Sequence, residues 1–180
     1  MATRLGLYNG ALRALGERRL ASLTEDRAPR RELDDAYDDV VATCLEAGYW
    51  NFAMRTVELE ASTDVTPEFG LTYAYEKPTD WVRTYKMSAN ERFDPPLEEY
   101  HDEGSYFFCD VDPLYLRYVC NATDAGMNLA LWPRSFTAYV ELALARAVCP
   151  NVSSSAEARE MLAKDLRKAK AEALAKDAMN

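Results

Sequence analysis

The only histidine, His101, lies in the run ERFDPPLEEYHDEGSYFFCDVD at positions 91–112. Imidazole is the side chain suited to proton transfer near neutral pH. No nucleophile motif accompanies it, so a solvated loop histidine is expected. The same run holds Glu91, Asp94, Glu98, Glu99, Asp102, Glu103, Asp110 and Asp112 against Arg92. Clustered carboxylates can bind Ca²⁺ or act as an acid/base pair. Here Asp110 and Asp112 lack the residues that follow in an EF-hand, and an acidic, solvated or channel-facing hairpin is expected. Cys44, Cys109, Cys120 and Cys149 are widely spaced with no CxxC pair, which leaves zinc and redox motifs unsupported and favours buried free thiols. Neither GxGxxG nor GxxxxGK[ST] is present, so nucleotide binding has no support. No catalytic, cofactor-binding or metal-ligating residue is assigned, no cofactor is implied, and a non-enzyme is expected. The alternative is a soluble enzyme or a ligand- or metal-binding domain that uses the acidic, aromatic middle, with perturbed carboxylates converging around His101 and Glu98.

The 180 residues suit one domain, 48% hydrophobic and 28% charged, and the net charge is −9. That balance opposes tight nonspecific grip on nucleic acid, which needs Lys and Arg to displace counterions. An acidic wall would still let DNA pass without sticking. The N-terminal MATRLGLYNGALRALG has no long apolar core, so no signal peptide is expected. No segment approaches the roughly 18 apolar residues of a membrane span.

Helical spacing predicts helices over about 3–16, 29–47, 133–149 and 155–178. Pro29 fits a first turn and Gly48 a left-handed cap of the second. Pro150 is expected to end the third, and Ser154 with Glu157 matches a capping box for the fourth. Between the second and third helices the period changes to two, and short strands are expected over about 55–122. Residues 101–104, HDEG, should turn a hairpin between LEEY and SYFF. The fold class expected is therefore α+β, mainly α: a four-helix bundle-like core with an inserted small antiparallel β region and a protruding C-terminal helix. Tyr49, Trp50, Phe52, Tyr73, Tyr75, Trp81, Tyr85 and other aromatics crowd the middle, as a core or an interface would require. ERR at 17–19 and RAPRR at 27–31 read as surface charge, able to pair with a neighbouring subunit or phosphate.

Several segments in order resemble the head–tail adaptor (connector) proteins of tailed bacteriophages, the group that includes tail tubular protein A of short-tailed phages. ALRALGERRLASLTED at 11–26 is similar to the family's opening helix and loop. ELDDAYDDVVATCLEAGYWNFA at 32–53 is similar to its long helix ending in Trp-Asn-Phe-Ala, here Trp50, Asn51, Phe52 and Ala53. YAYEKPTDWVRTYKM at 73–87 resembles its Tyr-x-Tyr-x-x-Pro-x-Asp-x-x-Arg turn, with Pro78, Asp80 and Arg83. LRYVCNATD at 116–124 and the two closing helical segments complete the set, which spans nearly the whole chain.

The resemblance implies a non-enzymatic structural protein of the virion, made in the host cytoplasm and placed at the head–tail interface. It implies a homo-oligomeric, dodecameric ring beneath the portal protein. Such a ring extends the DNA channel without specific DNA binding and offers a platform to the next tail or nozzle protein; no membrane is involved. It further implies that the last helix docks on the portal, through Leu166, Arg167, Lys168, Lys170, Leu174, Lys176, Met179 and Asn180.

Overall fold

The structure, a computed structural model, describes residues 1–68, 70–152 and 156–179. Within them the chain order is α1 (Arg4–Ala14), α2 (Ala28–Glu46), β1 (Met54–Leu59), β2 (Tyr73–Glu76), β3 (Trp81–Ser88), β4 (His101–Glu103), β5 (Tyr106–Cys109), β6 (Leu114–Cys120), α3 (Arg134–Val152) and α4 (Ala156–Ala178). The Thr3 hydroxyl caps α1 by accepting the Gly6 N–H. Pro29 occupies the first turn of α2, where its missing N–H has no intrahelical partner to lose. Helix α3 is central, and α1, α2 and α4 each pack on it. Leu7, Leu12, Leu33, Val41, Leu45, Val140 and Leu144 fill the space between them.

The strands form two antiparallel sheets, ordered β1-β6-β3 and β2-β5-β4. Along β6, Leu114, Leu116, Tyr118 and Cys120 point into a second core shared with Tyr75, Phe107 and Cys109 of the other sheet. Val119 points the opposite way, into the helical core. The two sheets therefore face each other, and the first also backs onto the helices. Lone backbone hydrogen bonds close both gaps between them: Ser62 N–H to the Ala74 carbonyl at 2.7 Å, and Leu97 N–H to the Met87 carbonyl at 2.8 Å. The result approaches a barrel in which β1, β2, β3 and β4 remain sheet edges apart from these two bonds.

This arrangement overturns the expected mainly α fold with a small β insertion. Helix accounts for about 42% and strand for about 19%, and the class is a mixed α/β fold with a substantial sheet component. Each strand is short, but six of them enclose a core of their own, and strand length alone concealed that. Nor does α4 protrude. Leu162 and Ala173 are buried, and Leu166, Ala169 and Leu174 pack on the helical core, because small side chains let the helix approach closely. Pro150 lies inside α3, which runs on to Val152. The capping box proposed at Ser154 lies outside the described residues. His101, Asp102 and Glu103 are strand rather than turn, and the hairpin turns at Gly104-Ser105, with Gly104 at φ +56 in the left-handed region that glycine tolerates. All four cysteines are free and buried.

Leu116 is fully buried between the two sheets. Leu116→Ala should lower stability by about 2–5 kcal/mol in urea unfolding. A cost below about 1 kcal/mol would mean that the barrel core is loosely held.

Candidate interaction surface

Helix α2 ends at the junction with the β layer, with Glu46 exposed and Gly48 buried, and its last carbonyls lack intrahelical partners. The stretch that follows supplies them. Trp50, 1% exposed, donates its indole N–H to the Cys44 carbonyl at 2.9 Å. Arg83, reaching across from β3, donates to the Glu46 carbonyl at 3.3 Å, where a cation also suits the helix dipole. The Trp50 ring lies edge-on to Phe136 at 4.8 Å, and Phe52 meets the same ring at 4.8 Å. Phe136 also takes Trp132 edge-on at 4.9 Å. The aromatic pair at the joint is thus an anchor between α2, the first strand and α3.

Gly48 is required here for space, not for a left-handed cap. It is absent from the positions with positive φ, and a Cβ on it would lie 2.5 Å from Leu174 Cδ2 and 3.0 Å from the Trp50 ring. Helix α4 is the element that comes so close. Its last turn is tied to the joint by Asn51, whose backbone N–H donates to both Asp177 carboxylate oxygens (3.1 and 3.0 Å) and whose side-chain amide donates to the Asp177 carbonyl at 2.7 Å. Asp177 is almost fully buried. Burial pushes its carboxyl above the ordinary value, and the Asn51 N–H partly offsets that.

The remaining residues of the second motif are equally structural. Pro78 accepts from the Trp81 N–H and makes the turn into β3. Asp80 accepts from Arg55 at 2.7 Å and from the Tyr118 hydroxyl at 2.8 Å, clamping β1 and β6 to that turn. The Tyr75 hydroxyl donates toward the Val111 carbonyl at 2.7 Å and lies 3.1 Å from the Asp112 carboxylate.

The same joint carries an exposed patch. Tyr49 and Tyr85 are 39% and 46% exposed and meet edge-to-face at 5.1 Å. The Arg83 guanidinium sits over Tyr49 at 4.2 Å and Arg117 over Tyr85 at 5.4 Å. An open hollow of about 460 Å³ lies beside them, lined by Met54, Leu174 and Ala178 among others. Tyr, Arg and Met are the residue types enriched at protein interfaces. Sequence reading marks Tyr85 only as one aromatic among many, and it does not single out Asp177 or Arg117. Asp177 sits in a polar helix among similar charges, and Tyr85 lies at an irregularity between Thr84 and Lys86 that breaks the strand's alternation.

Of the positions assigned to portal docking, Leu166, Lys170 and Leu174 are half-buried against the chain's own body. Arg167, Lys168, Lys176 and Met179 face solvent, with Lys176 paired to Glu172 at 2.6 Å. Asn180 lies outside the described residues. His101, on the edge strand β4, lies 3.5 Å from Glu103, and both are exposed. Among the described residues no three His, Cys, Asp or Glu side chains converge on a point that could hold a metal ion. The RAPRR arginines pair within the chain: Arg27 with Glu17 and Glu25, Arg30 with Asp34, and Arg31 with Asp26. Among the described residues no helix is long and apolar enough to cross a membrane.

The chain matches none of the known family models, and no curated protein is similar to it at a significant level.

Trp50→Ala should cost about 3–5 kcal/mol in urea unfolding, since it empties a fully buried site and leaves the Cys44 carbonyl without its partner. The Asp177 carboxyl is raised on folding, so it adds stability below its unfolded-state value, and that increment is lost as pH rises through the folded-state value. Relative to Asp177→Asn, the wild type should therefore gain stability on acidification from about pH 7 to about pH 4. A difference that stays constant across that range would show that Asp177 titrates as it does in the unfolded chain.

Proposed function

We propose that this protein is a head–tail adaptor of a tailed phage, a structural ring subunit placed between the portal and the tail. In this reading the ring extends the DNA channel and presents a platform to the next tail protein. The observation that carries it is the Tyr49–Tyr85–Arg83–Arg117 surface. It is exposed, rich in interface residue types, and built on the same joint as the Trp-Asn-Phe-Ala segment that resembles the adaptor family. The motif residues Trp50, Asn51, Asp80 and Arg83 all hold layers of the fold together, as residues of a scaffold rather than of a reaction centre would. The net charge of −9 suits a channel that conducts DNA without gripping it.

Portal contact falls to the solvent-facing part of α4, namely Arg167, Lys168, Lys176 and Met179, because engaging Leu166 or Leu174 would require the helix to leave its own body. A ring of identical subunits needs head-to-tail interfaces, with different surfaces on the two sides of each subunit.

Native mass spectrometry and negative-stain imaging, with and without the portal protein of the same phage, test the reading. A twelvefold ring that binds the portal is expected. Compact monomers at every concentration, with no portal binding, would contradict it.

A further inference from the structure

Three tyrosines, Tyr8, Tyr75 and Tyr118, are exposed by 1% or less, and the hydroxyl of each reaches an aspartate. Tyr8 donates to Asp34 at 2.7 Å and Tyr118 to Asp80 at 2.8 Å, and the Tyr75 hydroxyl lies 3.1 Å from Asp112. In two of these pairs arginine serves the same carboxylate: Arg4 and Arg30 at Asp34, and Arg55 at Asp80. A phenol is a neutral donor. It satisfies a shielded carboxylate without bringing a second charge out of water, and its ring fills apolar space.

Asp177 departs from this pattern. It is the only buried acid among the described residues. Within them its carboxylate accepts from the Asn51 N–H alone, which both oxygens share. An ionised carboxylate can accept about four hydrogen bonds, so most of that capacity is left over. Asp177 also lines the open hollow of about 460 Å³ beside Tyr49 and Tyr85. Met54, Leu174 and Ala178 give the hollow an apolar wall, and Arg117 borders it. A cavity of about 150 Å³ is enough for a benzene ring. A carboxylate, an arginine and apolar side chains, the surroundings that Tyr8 and Tyr118 find inside the chain, thus recur here around a hollow open to solvent.

We propose that this hollow binds a phenol ring, presented as a tyrosine side chain by another polypeptide, with the phenol O–H donating to the Asp177 carboxylate. The ring packs on Met54 and Leu174, and Tyr49 and Tyr85 offer it aromatic contacts. Charge selects the same guest: Arg117 opposes a cation and Asp177 an anion, whereas a neutral donor suits both. The hollow is open, and the exposed Tyr49 and Tyr85 border it, so the backbone on either side of the guest ring has a surface to lie on. A free small molecule is better served by a cleft that encloses most of its surface. The site goes beyond the ring reading above and does not depend on it.

Chemical-shift titration of the full chain with the capped tripeptides Gly-Tyr-Gly and Gly-Phe-Gly is the test. The tyrosine peptide is expected to shift the Asn51 amide, which shares the carboxylate, and to bind about tenfold or more tightly than the phenylalanine peptide, the worth of one hydrogen bond to a charged acceptor. Asp177→Ala should abolish that preference. If it lowers the urea midpoint, Asp177→Asn serves instead: it keeps an oxygen for the Asn51 N–H, and it should cut the preference to about threefold, because a neutral acceptor makes a bond roughly half as strong. No shift with either peptide, equal binding of the two, or a preference that the variants leave at full strength overturns the proposal. p-Cresol that binds more tightly than the tyrosine peptide overturns the assignment to a polypeptide and makes the hollow a site for a small phenol.

Discussion

The last turn of a helix leaves carbonyl groups without intrahelical partners, and any that are shielded from water must be satisfied by something else. Helix α2 ends in this way, and much of the molecule is organised around the remedy. Trp50 serves the Cys44 carbonyl and Arg83 the Glu46 carbonyl. To reach them, the chain must turn at once into β1, and β3 must lie across the helix end. That requirement fixes how the sheet layer sits on the helical layer. Burying Trp50 then requires Phe52, Phe136 and Tyr139 to surround it, which fixes α3 as well.

The fourth helix completes the joint. Gly48 leaves room for Leu174, and Asn51 holds Asp177 through three hydrogen bonds that span 126 positions of sequence. A nearly buried carboxylate is costly unless hydrogen bonds satisfy it, and here a backbone N–H does so. The last turn of α4 is thus part of the folded body. Whatever docks on this helix meets Arg167, Lys168 and Met179 rather than its apolar stripe. The exposed Tyr49 and Tyr85 lie on the same joint, so the elements that hold the fold also position the surface proposed for assembly.

Sequence spacing located the four helices and every strand but β4, which reads as a turn, because the periodicity changes from 3.6 to 2 near Trp50 and back again near Pro133. It did not reveal how the strands combine. Alternation in Leu114, Leu116 and Tyr118 marks a buried face, but only tertiary structure shows that a second sheet covers it. Gly48 illustrates the same limit. A glycine after a helix suggests a cap, whereas the cause here is a side chain arriving from position 174. Trp50 and Asn51 are legible as conspicuous types at a boundary, and Arg83 only through the resemblance. Asp177 and Arg117 are not, since their importance comes from partners far away in sequence.

The central claim is that α2, the barrel and α4 form one cooperative unit through this joint. Native-state hydrogen exchange across a urea series measures that directly, with the Asn51 amide as reporter. The account predicts that this amide, the last turn of α4 and the β6 amides open together at the global unfolding free energy. Exchange of Asn51 and α4 at a much lower free energy, with β6 still protected, would contradict it.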